Sequence, residues 1–182
     1  MSSPTVHLAS NKAEIKEHAR AVAGKSGHSI ILVPVDFSDH STAALIKAAE
    51  FAEMLPATLI VLHVVHDPGE MPGYYSKLIK KKRATRIQDI AAEAFGQFMD
   101  NIIEEYPDHS SLQEAGVLMV KGLPVTRILE VVKQIEPIMV VMGSQGRTGL
   151  KHLVIGSKAN QVMQLCPVPV MIVKNGRDEA TS

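Results

Sequence analysis

Three glycines, Gly143, Gly146 and Gly149, stand directly behind the apolar run Ile138 to Met142, and Gly156-Ser157 follows a few residues later. Glycine admits positive φ and leaves neighbouring peptide N–H groups uncovered. A succession of uncovered N–H groups makes a nest for an anion. If a helix starts at Ser157, its first N–H groups lack intrahelical acceptors and lie at the positive end of the helix dipole. Loop and helix start together could therefore hold a phosphate chain, with the Ser157 hydroxyl as an extra donor. Taken singly, each glycine could equally shape a long loop, and Ser157 could simply cap a helix. The combination of strand, glycine loop and helix favours the anion.

Two common phosphate motifs are absent. The chain has no G-x-x-x-x-G-K-[ST], and the turn after its first long apolar run reads DFSDHS, without the glycines of a dinucleotide fingerprint. A P-loop ATPase and an ordinary Rossmann dehydrogenase are both disfavoured.

The elements that must position the glycines follow from periodicity. Ser29 to Phe37 is a nearly continuous apolar run rich in β-branched residues, as expected of a central parallel strand buried on both faces. Ser38 or Asp39 can cap a helix carrying Ala44, Leu45, Ala48, Phe51, Ala52 and Leu55, which Pro56 stops. Thr58 to Val65 is a second strand, Asp67 to Tyr75 a flexible connection, and Ser76 to about Tyr106 a helix. Gly116 to Val120 gives a third strand, Gly122-Leu123-Pro124 turns into a helix through Ile128, Val131, Val132 and Ile135 that Pro137 ends, and Ile138 to Met142 is a fourth strand. Ser157 to Gln164 is the last helix and Val168 to Lys174 the fifth strand. We therefore expect an α/β fold, an open five-stranded parallel sheet with helices on both faces. In such sheets ligands bind beyond the carboxyl ends of the strands where strand order reverses. That points to Asp36 to Ser38 and to Gly143 onward.

Residues 1–28 are polar, with only a weak helical pattern over Asn11 to Ala23, and read as an N-terminal extension that could include a short helix; residues 175–182 read as a tail, leaving one domain over 29–174. With 46% hydrophobic residues the 182-residue chain can bury a substantial core. Lys plus Arg and Asp plus Glu both number 19, so no net field recruits nucleic acid or an anionic membrane, and Lys80 to Arg83 reads as a solvated helix face. The single cysteine, Cys166, can form no internal disulfide. The opening residues do not read as a secretory signal, and no run nears the ~18 apolar residues of a membrane span. A cytoplasmic location with no nucleic-acid partner is expected. His40, His63 and His66 do not make a persuasive zinc site, because His63 and His66 have opposite parity along a strand. No metal is assigned.

Gly143-x2-Gly146-x9-Gly156-Ser157 resembles the G-2x-G-9x-G-[ST] signature of the ATP-binding branch of the universal stress protein family. VPVDFS, the helix with Ser41, Ala44, Leu45 and Ala48, LHVV, Gly122-x-Pro124 and VPVMIVK are also similar to that family, so the resemblance covers about Ser29 to Lys174. It implies a homodimeric, flavodoxin-like or Rossmann-like domain with strand order 3-2-1-4-5. It also implies an adenine near Pro34, Val35 and Val64, with Asp36 accepting from ribose hydroxyls or the adenine amine. Met142, Gly143, Gln145 and Gly146 would border ribose and phosphates, and Gly156, Ser157 and Lys158 would bind phosphates. Two positions depart from the pattern: Gln145, where His or Arg is common, and Lys158, where a small or β-branched residue is common. Arg147 and Lys151 could supply neutralising charge or be solvated loop residues.

Phosphoryl transfer needs a metal, a positioned nucleophile and charge stabilisers. The motif supplies donors but no base, so no catalytic residue is assigned. Asp36 or Asp39 could help hold a Mg²⁺ carried in on ATP. The expected function is an ATP-binding stress-response or signalling module whose nucleotide state alters a protein partner. A weak ATPase on the same scaffold, or a dimeric interaction protein with an empty pocket, are the alternatives. The closing strand, apolar on both faces at a sheet edge, predicts a homodimer through Val168 to Val173.

Overall fold

The computed structural model describes residues 5–24, 29–65, 76–146 and 155–175. In chain order these form β1 (Val6–Leu8), α1 (Lys12–Ala23), β2 (Ser29–Val35), α2 (Asp39–Met54), β3 (Ala57–Val65) and α3 (Ser76–Glu105). There follow α4 (Ser110–Gln113), β4 (Gly116–Lys121), α5 (Pro124–Ile135), β5 (Met139–Gly143), α6 (Ser157–Leu165) and β6 (Val170–Val173). The strands form one sheet in the order β1-β4-β3-β2-β5-β6, and every pairing is parallel.

The inner strands are buried on both faces because both faces are covered. Ile31, Val33, Leu59, Val61, Val117 and Val141 pack with Leu45 and Ala48 of α2, Phe95 and Met99 of α3, and Leu112 of α4. Their alternates Leu32, Ile60, Leu62, Leu118 and Val140 pack with Ile15 and Ala19 of α1, Ile128 and Val131 of α5, and Val162 of α6. Period-2 alternation in the strands thus feeds two separate cores. The Ser38 hydroxyl accepts the Ser41 N–H at 3.2 Å, and this cap fixes where α2 begins relative to the tip of β2.

The expected five strands are present in the order 3-2-1-4-5, but the sheet has a sixth, so the strand count is corrected. Val6–Leu8 lies beside β4, with His7 paired to Leu118, and the Ala9 N–H donates to Met119 O at 2.9 Å. The amino-terminal extension is therefore built into the core rather than appended to it: Ala9, Ile15 and Ala19 are all buried. Asn11 caps α1 by accepting from the N–H groups of Ala13 and Glu14. The His18 ring stacks on His7 at 4.7 Å, and neither Nε2 has a partner among the described residues. Burial and the neighbouring His7 lower His18 to about 4.

Among the described residues no helix is long and apolar enough to cross a membrane.

Candidate functional site

The tips of β2 and β5 diverge at the point where the chain reverses its direction of winding. Their pairing ends at Leu32 with Val140. The Ile30 carbonyl already faces β5, accepting the Ile138 N–H, so Pro34 has the same parity and no N–H with which to extend that ladder. Pro34 and Val35 are buried at the end of β2, and Val64 is half-buried near the end of β3. The pairing of Val35 with His63 brings Asp36 to the level of Val64.

Asp36 is held from its own side of the crevice. Its Oδ1 accepts the Ser38 hydroxyl at 2.6 Å and the Ser38 N–H at 3.2 Å, while its N–H donates to Ser41 Oγ at 3.4 Å. Its Oδ2 reaches across to the glycine loop: a Cβ on Gly146 would lie 2.6 Å from it. Two sequence-predicted residues that are 110 positions apart therefore meet at the switch point, and any side chain at 146 would have to displace the carboxylate.

Met142 and Gly143 end β5 and are buried, with Gln145 and Gly146 half-buried in the bend beyond. Gly143 is required by packing, since a Cβ there would stand 2.7 Å from the backbone C and O of His40 in the first turn of α2. Gly156 is the N-cap of α6 and has no side chain to offer, and Ser157 and Lys158 are exposed at its first two positions. The first bond of α6 runs from Asn160 N–H to Gly156 O. Gly156 makes no side-chain cap bond, so among the described residues no side chain caps the positive end of this helix. The Gly156 N–H differs from that expectation, because it donates to Ser144 O at 2.7 Å. This bond braces the loop against the helix start.

Gly149, Arg147, Lys151, His66, the connection Asp67 to Tyr75 and the tail from residue 176 lie outside the described residues, as do the side chains of Lys80 to Arg83. His40 and His63 have separate surroundings. His63 donates from Nδ1 to Val35 O at 2.9 Å and stacks on Phe37 at 4.3 Å, whereas His40 Nδ1 meets Ser144 Oγ at 3.2 Å. Among the described residues no group of three His, Cys, Asp or Glu could hold a metal ion.

The sequence reading passed over three supports of the site. Ser41, 3% exposed, joins Asp36 N–H to Ser38 O through its hydroxyl. Ser144 is 1% exposed. Phe37 stands at φ 64°, a conformation that a bulky side chain rarely takes, and turns the chain sharply between Asp36 and Ser38. A buried serine beside a motif is a signal that polar side chains at burial-prone positions are bonded, but their partners here are too distant in sequence to read.

An open parallel sheet wound on both faces, with an acidic strand tip facing a glycine bend, defines a Rossmann-like α/β domain. The model of the universal stress protein family matches residues 28–174, and the chain belongs to that family. It is 26% identical over 156 residues to the universal stress protein MJ0531 of Methanocaldococcus jannaschii, covering 86% of this chain and 88% of that one. The universal stress protein UspA from Lactobacillus plantarum superposes with a TM-score of 0.68 at 26% identity, over 80% of this chain and 97% of its own. Two solved universal stress proteins share the fold at lower identity. One, in complex with cAMP, has a TM-score of 0.52 at 19% identity over 81% of this chain and 97% of its own. The other, from Archaeoglobus fulgidus in complex with dAMP, has a TM-score of 0.50 at 24% identity over 81% and 98%.

Proposed function

We propose that this chain binds an adenine nucleotide, ATP in particular, in the crevice between the tips of β2 and β5, and acts in the cytoplasm as a nucleotide-dependent stress-response or signalling module. The observation that carries the reading is the approach of Asp36 Oδ2 to Gly146 beside the open start of α6. A carboxylate suits hydroxyl and amine donors, and uncapped helix N–H groups suit phosphate oxygens. These are the two ends of a nucleotide. The adenine would lie against Pro34, Val35 and Val64, the ribose against Asp36, Met142 and Gly143, and the phosphates against Gln145, Gly146, Ser157 and Lys158. Gly156 would act by holding the helix start close to the bend. Complexes of family members with cAMP and dAMP support the adenine class. ATP would bring its own Mg²⁺, for which Asp36 and Asp39 are the nearby carboxylates. The molecule would work as a homodimer paired through Val168 to Val173.

The test is calorimetric titration of the full chain with Mg-ATP, together with mass spectrometry of whatever nucleotide co-purifies. Wild type binds, and Gly146→Val and Asp36→Ala each weaken binding by tenfold or more, about the worth of one good polar contact. A folded wild-type protein that retains no nucleotide and gives no heat with ATP refutes the proposal.

A further inference from the structure

Ser144 has no place in the crevice, yet it bonds to three other elements at once. Its N–H donates to Val173 O at 2.8 Å, at the last residue of β6, and its carbonyl accepts the Gly156 N–H at 2.7 Å, at the start of α6. Its hydroxyl lies 3.2 Å from His40 Nδ1 in the first turn of α2. The same nitrogen accepts the Asn175 N–H at 3.4 Å, two residues beyond β6. A ring nitrogen that accepts an amide proton carries none of its own, so the Ser144 O–H is the donor.

The strand anchored in this way is a weak one. Within one protomer β6 has four residues, all only partly buried, and pairs on one side with β5, so its carboxyl end depends on the bonds to Ser144 and His40. Short edge strands of this kind open more readily than the core. If the end of β6 frays, Ser144 loses its bond to Val173 and His40 loses the one from Asn175, so the bend that carries Gln145 and Gly146 keeps its bond to α6 but loses its tie to the sheet edge. A ligand gripping that bend and the helix start would hold the bend in place.

We propose that Ser144, with His40, is a positioning residue that ties occupancy of the nucleotide crevice to the docking of β6, so that ligand binding orders this edge strand and opening of the strand weakens binding. The inference rests on the nucleotide reading above. Linkage makes the two effects equal in size. The bistable element is the carboxyl end of β6, and the bonds through Ser144 are the physical connection between the two sites.

The experiment is amide exchange by NMR on the full chain, with and without saturating Mg-ATP, for wild type, Ser144→Ala and His40→Gln. The Asn175 N–H is the reporter, because it bonds to His40 at the end of the network. ATP is expected to slow its exchange by roughly fivefold or more in wild type, the usual lower range of such coupling. In either variant ATP still binds, more weakly, and the slowing falls below about twofold. Wild-type protein that binds ATP with unchanged Asn175 exchange overturns the coupling and leaves the nucleotide reading intact. A folded variant that keeps the full slowing also overturns it, and His40→Gln decides the matter if Ser144→Ala does not fold. Wild-type protein that binds no ATP removes the nucleotide reading and this inference with it.

Discussion

Acidification is expected to weaken the fold through His18, by an amount that the structure bounds. Its ring is stacked on His7 with its Nε2 buried and unpartnered among the described residues, so adding a proton there places a charge next to a second imidazole and away from water. The folded protein therefore binds this proton less readily than the unfolded chain does. A fall from 6.5 to about 4 caps the effect at about 3 kcal/mol, and partial exposure of the ring reduces that to about 1–2 kcal/mol. The sign follows from proton counting. Between 6.5 and about 4 the unfolded chain holds more protons, so stability is complete above 6.5 and is lost progressively as pH falls towards 4. Lys12, at the start of α1, pairs with Glu130 of α5, which also pairs with Arg127 in its own helix. Carboxylates also titrate in acid, so the comparison is made with His18→Phe, which keeps a flat ring against His7 and cannot ionise. Urea unfolding of both proteins at pH 7.5, 6.5, 5.5 and 4.5 isolates the histidine. The variant should gain about 1–2 kcal/mol on wild type between the two extremes. A difference that stays flat across the series would falsify the reasoning.

Further substitutions probe the frame around the crevice. Gly143→Ala pushes a methyl group against the backbone of His40 and is expected to cost about 1–3 kcal/mol, read as a lower urea midpoint at unchanged slope. Ser38→Ala removes both the cap of α2 and a donor to Asp36, costing about 1 kcal/mol and lowering the melting temperature by roughly 2–4 °C; no change would mean that neither bond matters. Leu118→Ala empties a fully buried position between the sheet and the helices α1 and α5, at about 2–5 kcal/mol in chemical unfolding. Ile172→Asp places a charge on β6 and is expected to give a monomer by light scattering where wild type is a dimer; a wild-type protein that is already monomeric removes the basis for that expectation.

The inner strands were legible because each is a run of β-branched residues long enough to exclude other readings, and the start of α2 because Ser38 precedes an apolar helical stripe. Gly143, Gly146 and Gly156 could be singled out by spacing alone, although spacing did not reveal that they serve different ends. Gly143 makes room for α2, Gly146 faces Asp36, and Gly156 is bonded to Ser144. The first strand was not legible. Three residues, Val6 to Leu8, have no period to detect, and their extended form comes from the ladder that β4 offers. Helix α1 left a local signal that was missed: Asn11 with Glu14 three residues on, whose carboxylate accepts from Asn11 Nδ2 at 2.6 Å. Phe37 read as a strand residue by its hydrophobicity, yet it sits at positive φ because the chain must turn there to bring Ser38 under Asp36.

The placement of β1 bears on how many molecules can join. Without it, β4 would offer six residues of unsatisfied backbone at one margin of the sheet while β6 offered four at the other, and copies could add at both margins without limit. With only Val6–Leu8 at that margin, little remains for a newcomer to grasp. The dimer proposed through the opposite margin would then be closed about its two-fold axis.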